Sequence, residues 1–175
     1  MKTGLILEGG AMRGLFSAGI MDVMMENGIT YDGIIGVSAG AVFGSNYISG
    51  QIGRSIRYNL KYCKDKRYGG LYSLLTTGDI YNKNFCYNEI PLKYDPFDFA
   101  AFESNPAAFY VVCTDVETGK PVYHQYTGRK DHGFDWIQAS ASMPLASRIV
   151  TIDGQKLLDG GVADSIPVRR FEQMG

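Results

Sequence analysis

The sequence has few residues of the kinds that build a disulfide-stabilised or metal-bound protein. Its 175 residues include three cysteines, Cys63, Cys86 and Cys113, which are widely spaced and form no Cys-x-x-Cys pair. An odd number at such spacing argues against a disulfide framework or a zinc ribbon and favours reduced thiols in a cytoplasmic protein. The two histidines, His124 and His132, have no carboxylates at ligand spacing, so we predict no metal site and no cofactor.

The sequence also lacks an excess of charge of either sign. Lys and Arg total 17, Asp and Glu total 18, and the formal net charge is −1. Nucleic-acid binders draw much of their affinity from clustered cations, so this balance argues against a nucleic-acid partner. It leaves open a transient contact with a membrane surface through apolar side chains. The oligomeric state stays unknown at this stage.

No segment has the pattern of a signal peptide or a membrane span. Thr3–Leu7 is a short apolar strand, not the long apolar region that precedes a cleavage site. The uncharged stretch from Gly33 to Gly53 is long enough for a span, but it is rich in glycine and serine and contains Asn46 and Gln51. We therefore interpret it as a buried strand, a turn and a buried helix.

Short apolar segments that alternate with helical patterns predict an α/β fold with a largely parallel sheet. Strands are expected at Thr3–Leu7, Ile34–Val37, Ala108–Thr114 and Val122–Tyr126, with a late hairpin of Arg148–Ile152 and Lys156–Leu158. Helices are expected at Leu15–Glu26, Ala39–Ile48, Asp135–Met143 and Val168–Met174, and Arg54–Lys66 is compatible with another. The aromatic-rich region 68–102 predicts loops and short helices that could form a lid. We expect residues 1–175 to be one domain, truncated at its C-terminal end, because such a helix normally leads into another strand.

A Gly-x-Ser-x-Gly motif stands between the second strand and the following helix. It consists of Gly36, Val37, Ser38, Ala39 and Gly40. In this context the motif predicts a nucleophile elbow, since a serine on a sharp strand-to-helix turn needs neighbours without β-carbons. Ser38 would then lie at the positive end of the helix dipole.

A second glycine-rich turn follows the first strand and opens a helix. It consists of Gly9, Gly10, Ala11, Met12, Arg13 and Gly14. A dinucleotide site would need an acid at the end of the second strand, and a P-loop would need Gly-Lys-Ser/Thr, and neither is present. An oxyanion hole fits best, because the two loops leave neighbouring strands at the same edge of a parallel sheet. For Arg13 we favour a structural ion pair over a role in orienting the loop or substrate.

The residue that would activate Ser38 is not a histidine in the usual chain order, because none follows Lys156. The candidate is Asp159, which ends an apolar run and precedes Gly160 and Gly161. By itself an Asp-Gly-Gly sequence is a weak signal, since Asp-Gly is ordinary turn chemistry.

Taken together and in this order, the three glycine-rich motifs resemble those of the patatin-like phospholipase family. The segment from Ala139 to Pro144 (Ala-Ser-Ala-Ser-Met-Pro) is also similar to one in that family. The resemblance implies a three-layer α/β/α sandwich and a bacterial lipid acyl hydrolase with a Ser38–Asp159 dyad and an oxyanion hole at the Gly9–Gly14 loop. Ala11 stands where the family commonly has a third glycine, and we expect it to be tolerated at a negative φ.

The resemblance implies an enzyme of the phospholipase A or esterase type, acting on a lipid or ester substrate through an acyl-enzyme intermediate. It implies a protein of the cytoplasm that could be peripheral to a membrane. The alternative is a lipid- or anion-binding domain of the same fold without activity, and a nucleotide-binding α/β domain ranks third. The head group, acyl length and position cleaved are not predicted.

Overall fold

The computed structural model describes residues 2–174 as a six-stranded sheet covered by helices. The strands are β1 (Gly4–Leu7), β2 (Gly33–Val37), β3 (Ala108–Asp115), β4 (Pro121–Gln125), β5 (Val150–Ile152) and β6 (Gln155–Asp159). The α-helices are α1 (Gly14–Glu26), α2 (Ala39–Ile48), α3 (Arg54–Tyr62), α4 (Leu71–Thr77), α5 (Phe99–Ser104), α6 (Asp135–Ser140) and α7 (Val168–Gln173). A π-helix spans Phe85–Tyr94, and short 3₁₀ turns span Ala11–Arg13 and Gly160–Val162.

The sheet is mixed, with a parallel part built from the first three strands. β1 pairs with β2, and β2 with β3, both in parallel. β4 and β6 each run antiparallel to β3, and β5 forms the predicted hairpin with β6. Parallel neighbours need a crossover connection, which α1 and α2 begin. The predicted α/β class and the late hairpin are therefore confirmed.

Alternate strand residues face two different helical layers, which gives the three-layer sandwich. Ile34 and Val111 lie in a large core with the side chains of the helices that follow β1, β2 and β3. Ile35 and Val112 face the opposite side, where Phe171 of α7 packs against the sheet. All four strand side chains are fully buried, as expected for strands covered on both faces.

Two strands meet end to end along one edge of β3. β2 pairs with β3 up to Val37 opposite Val112, whereas β6 pairs from Cys113 opposite Asp159 onward. β4 pairs with residues 110–114 of β3, a range that overlaps both the residues paired with β2 and those paired with β6. β4 therefore occupies the opposite edge of β3. The C-terminal ends of β2 and β6 therefore point at each other, which brings the residues after Val37 close to Asp159.

The largest departures from the sequence prediction lie outside the sheet. The helix at Asp135 ends at Ser140 instead of continuing to Met143. The region expected to contain only loops and short helices includes the ten-residue π-helix with Pro91 inside it. Proline removes one backbone donor and crowds the preceding turn, and a wider turn accommodates it. Among residues 2–174, no helix is both long and apolar enough to cross a membrane.

Candidate active site

Ser38 lies on a strained turn between β2 and α2. Its φ of 54° and ψ of −122° place a non-glycine residue in a sparsely populated backbone region. A β-carbon on Gly36 would lie 2.6 Å from the backbone of Ala41, and one on Gly40 would lie 2.2 Å from the carbonyl oxygen of Leu7. The two glycines of the motif are thus required by close backbone approach, and the elbow geometry predicted from them is present.

The Ser38 hydroxyl donates a hydrogen bond to Asp159. Its Oγ lies 2.6 Å from Oδ2 of the carboxylate, although the two residues are 121 positions apart. The other carboxylate oxygen, Oδ1, accepts the backbone N–H of Gly161 at 2.8 Å. Both side chains are buried from bulk solvent. The predicted serine–aspartate contact is therefore formed, and the carboxylate is held at both oxygens.

Burial raises the pKa of Asp159 above 3.8, its ordinary value. The hydrogen bonds from Ser38 and Gly161 act in the opposite direction, because both favour the ionised carboxylate. Burial is the larger effect. The side chain is therefore a stronger proton acceptor than an exposed aspartate, which is what a general base opposite a serine needs.

A third side chain, Ser140, holds the serine turn to the sheet. The backbone N–H of Ser38 donates to Ser140 Oγ at 2.8 Å, and this hydroxyl donates to the carbonyl oxygen of Val112 at 2.6 Å. Two residues on, the carbonyl oxygen of Ser142 accepts the backbone N–H of Asp159 at 2.8 Å. This segment was identified from the sequence by resemblance only, and its hydrogen bonds to both residues were not predicted.

The glycine-rich turn after β1 lies directly against Ser38, as the strand order predicted. A β-carbon on Gly9 would lie 2.8 Å from Cβ of Ser38. Gly10 has a φ of 153° and begins the 3₁₀ turn. Within residues 2–174, neither Gly10 nor Ala11 donates its backbone N–H to an acceptor in a turn, loop or cap. Both N–H groups are thus free to donate to another acceptor.

Two expectations about this turn were wrong. Ala11 has a φ of 48°, which lies in the left-handed region and is not a negative value. Arg13 makes no ion pair among the described residues. Its guanidinium folds back over Gly10, where a β-carbon would lie 3.5 Å from two of its nitrogens. Gly14 instead serves packing, since a β-carbon there would lie 2.8 Å from Phe43.

A cavity opens beside Ser38 and continues between the helices. Its volume is about 90 Å³. Met12 and Ala39 border it near the serine, and Tyr87 and Ile90 of the π-helix form part of the opposite wall. The aromatic-rich middle region therefore contributes walls to the site. A cavity of this kind, mostly apolar with a few polar groups, is typical of small-molecule sites.

The two histidines lie in other interactions. The His124 ring stacks on Trp136 at 3.8 Å between centroids, and its Nε2 lies 2.7 Å from a carboxylate oxygen of Asp131. His132 is paired with the exposed Asp153 at 3.1 Å. Neither ring makes a hydrogen bond to the serine–aspartate pair in the described part of the chain.

No cluster of three or more His, Cys, Asp or Glu side chains suited to a metal ion occurs among residues 2–174. The three cysteines are unpaired, and Cys86 and Cys113 lie inside the protein, where burial raises the pKa of both thiols. Their thiols are thus held in the neutral, less nucleophilic form. Within the described residues, Ser38 is the only serine whose hydroxyl donates a hydrogen bond to a carboxylate.

A solved structure has a fold similar to that of this chain. The solved structure of VipD from Legionella pneumophila superposes with a TM-score of 0.53 at 14% sequence identity, covering 95% of this chain and 47% of VipD. The chain is 28% identical over 180 residues to the uncharacterised protein YjjU of Escherichia coli K12, covering 99% of this chain and 49% of YjjU. It is also 28% identical over 190 aligned residues to lysophospholipase nte1 of Aspergillus terreus.

The chain spans about half the length of YjjU and 11% of that of nte1. The family model of patatin-like phospholipases matches residues 5–171, which include the serine turn, the glycine-rich turn and Asp159. The chain therefore belongs to the patatin-like phospholipase family.

Proposed function

We propose that this chain is a serine acyl hydrolase of the phospholipase A or esterase type, which cleaves lipid ester bonds through a Ser38–Asp159 dyad. The observation that carries the proposal is the 2.6 Å hydrogen bond from the Ser38 hydroxyl to a buried carboxylate. Membership of the family and the similarity to a lysophospholipase support a lipid ester as substrate.

In the first half of the reaction, Ser38 attacks the ester carbonyl. Its Oγ forms a bond to the carbonyl carbon while its proton passes to Oδ2 of Asp159, the atom it already faces. Collapse of the tetrahedral intermediate breaks the carbon–oxygen bond to the alcohol. The alcohol leaves with the proton from Asp159, and the acyl group stays on Ser38 as an ester.

The negative oxygen of the intermediate needs donors that are already in place. The glycine-rich turn contacts Ser38 at Gly9, and the backbone N–H groups of Gly10 and Ala11 that follow donate to no backbone acceptor in a turn, loop or cap of the described chain. The start of α2 adds the positive end of a helix dipole at Ala39. The Arg13 guanidinium over Gly10 adds positive charge near this loop. One such oxyanion donor is typically worth about 3–4 kcal/mol in the transition state.

In the second half, water hydrolyses the acyl-enzyme. Asp159, again ionised, accepts a proton from a water molecule that attacks the acyl carbon, and returns it to Ser38 Oγ as the carbon–oxygen bond breaks. Throughout, the Gly161 N–H holds the second carboxylate oxygen, so the base keeps its orientation.

A lipid surface would reach the site along α1. Met12 borders the cavity, and Phe16, Ile20 and Val23 follow it as exposed apolar side chains at helical spacing. This stripe supports a transient contact between the enzyme and a membrane. Replacement of Phe16 by serine should weaken cosedimentation with phosphatidylglycerol vesicles, whereas unchanged binding would contradict the contact.

The test of the proposed function is a hydrolysis screen over p-nitrophenyl esters and phospholipids. Ser38→Ala should reduce turnover to background, because no other cavity-lining hydroxyl among the described residues donates a hydrogen bond to a carboxylate. Ser49→Ala is the matched control, since Ser49 lies just past the other end of α2 and does not line the cavity. No hydrolysis by the wild type, with lipid still bound, would instead favour a binding domain without activity.

A further inference from the structure

The cavity beside Ser38 has a polar wall at the far end of α2. Arg54, Asn46 and Tyr58 all line it. Arg54 is only 4% exposed, which is unusual for an arginine unless a partner compensates its charge. Its guanidinium lies over the rings of Tyr58 and Phe97, at 5.3 and 5.4 Å from their centroids.

The buried charge of Arg54 is not fully balanced. The nearest carboxylate belongs to Asp95, but both of its oxygens are taken by Arg57, at 2.8 and 2.9 Å. Arg54 Nε lies 3.4 Å from the same carboxylate. Two cations thus share one anion, and Arg57 is the one that is open to solvent.

The guanidinium of Arg54 also has N–H groups to spare. Nε and Nη2 donate to the backbone carbonyl oxygen of Asp95, and Nη1 donates to Oδ1 of Asn46 at 2.6 Å. These three bonds go to neutral acceptors, and two of the five guanidinium N–H groups have no acceptor within residues 2–174. Burial lowers the pKa of Arg54, which means that the neighbouring groups do not fully compensate for the hydration that the guanidinium loses inside the protein.

The polar wall lies at a defined distance from the serine. Asn46 comes eight residues after Ser38 on α2, which corresponds to about 12 Å at a rise of 1.5 Å per residue. An extended hydrocarbon chain covers this distance with roughly eight to ten carbons, since each bond of about 1.5 Å advances somewhat less than its length. Val42, halfway along, lines the same cavity.

We propose that the acyl pocket selects acyl groups that carry a carboxylate at their far end, which Arg54 binds through its two free N–H groups. The substrate class is an ester of a medium-length dicarboxylic acid, with one carboxyl group in the scissile ester and the other free. This inference rests on the proposed function for its chemistry, but the anion site itself does not depend on turnover.

The experiment compares two p-nitrophenyl esters of azelaic acid, one with a free second carboxylate and one with that carboxylate methylated. For the wild type, kcat/KM should be at least about tenfold higher for the free carboxylate, as a charge-assisted hydrogen bond predicts. The preference should vanish in the adipic acid pair, whose chain is too short to reach Arg54. Equal rates for the azelaic pair would overturn the proposal.

Two arginine variants test whether the preference for the free carboxylate depends on the Arg54 guanidinium. In Arg54→Gln the ratio of kcat/KM for the free-carboxylate ester to that for the methylated ester should fall to about one, whatever the absolute rate. Arg67→Gln is the matched control, because Arg67 is an exposed arginine that does not line the cavity, and its ratio should stay at the wild-type value. An unchanged ratio in Arg54→Gln would contradict the assignment. If the Arg54→Gln protein fails to fold, Asn46→Ala is measured in its place, because it removes the acceptor that orients Nη1.

Calorimetric titration separates this proposal from the proposed function. Ser38→Ala protein should bind monomethyl azelate, which has one free carboxylate, at least about tenfold more tightly than dimethyl azelate. If no ester is hydrolysed but this difference is found, the acyl-hydrolase proposal fails and the anion site stands. If esters are hydrolysed without any such difference, the anion site fails alone.

Discussion

The side-chain hydroxyl of Ser140 accepts the backbone N–H of Ser38 at 2.8 Å. The same hydroxyl donates to Val112 on β3, so one buried oxygen replaces the backbone pairing that β2 loses where it turns into α2. Because the N–H of Ser38 is used in this way, an oxyanion must be bound by other donors. In the proposed mechanism, those donors belong to the glycine-rich turn and the start of α2.

Replacement of Ser140 by alanine should lower kcat by roughly ten- to hundredfold with little change in KM, because small misplacements of a nucleophile are costly. It should also cost about 1–3 kcal/mol of stability for each buried group left unpaired, the Ser38 N–H and the Val112 carbonyl. Ser142→Ala is the control, since that hydroxyl bonds only to Gln138 within the described residues. Equal losses of kcat in the two variants would contradict a specific role for Ser140.

Two glycine-to-alanine changes in helices should have opposite effects on stability. In Gly40→Ala, the new β-carbon would lie 2.2 Å from the carbonyl oxygen of Leu7 and should destabilise the fold by about 3 kcal/mol. In Gly19→Ala, the nearest atom is Cδ1 of Ile56 at 3.8 Å, and the change should stabilise α1 by up to ~1 kcal/mol. Urea unfolding of both variants checks the prediction, and a stable Gly40→Ala protein would refute the close approach of α2 to β1.

Asp159→Asn should reduce the acylation rate by orders of magnitude, because an amide cannot accept the Ser38 proton. The thermal midpoint of unfolding should nevertheless be unchanged or higher at pH 7. Burial raises the pKa of Asp159, so the folded state disfavours the charged form, and removing that charge removes a cost. Pre-steady-state kinetics and a thermal melt measure the two effects, and a large fall in the midpoint would show that the carboxylate stabilises the fold.

The rate of ester hydrolysis should fall as the solution is made acidic, with a midpoint above 3.8, the ordinary value for aspartate. The direction follows because only the ionised Asp159 accepts a proton, and burial raises its pKa. A profile of kcat/KM against pH for a neutral ester tests this. A midpoint below 3.8 would mean that the hydrogen bonds from Ser38 and Gly161 outweigh burial.

Neither histidine should contribute to turnover. His132→Ala should leave kcat within about twofold of wild type, because its ring pairs with an exposed aspartate. His124→Ala should cost stability, since the ring stacks on Trp136, but the folded fraction should retain its kcat. A loss of kcat comparable to that of Asp159→Asn, with the fold intact, would replace the dyad by a triad.

The serine turn could be predicted from sequence because its glycines are dictated by local backbone contacts. Gly36 and Gly40 are required by the approach of α2 to β2 and β1, and these elements follow one another along the chain. Asp159 was placed near Ser38 by resemblance and by elimination of histidines. The physical reason for their contact, the end-to-end meeting of β2 and β6 on β3, depends on long-range pairing that no local pattern encodes.

Other features were missed because they depend on tertiary context. The role of Ser140 arises only where α6 crosses the end of β2, and a serine in a helix has no distinctive sequence signal. The left-handed φ of Ala11 has no local sequence signal, because a non-glycine residue rarely adopts this conformation. The burial of Arg54 results from the packing of α3 against α2 and Asp95, which the polar, basic sequence around it does not indicate.

The most direct test of the central claim is the intact mass of the protein after reaction with a fluorophosphonate, which traps an activated serine. We expect one adduct per chain in the wild type, located on Ser38, no adduct in Ser38→Ala, and strongly slowed labelling in Asp159→Asn. A wild-type protein that stays unlabelled, or a Ser38→Ala variant that is labelled as fast as wild type, would contradict the account of Ser38 as the nucleophile.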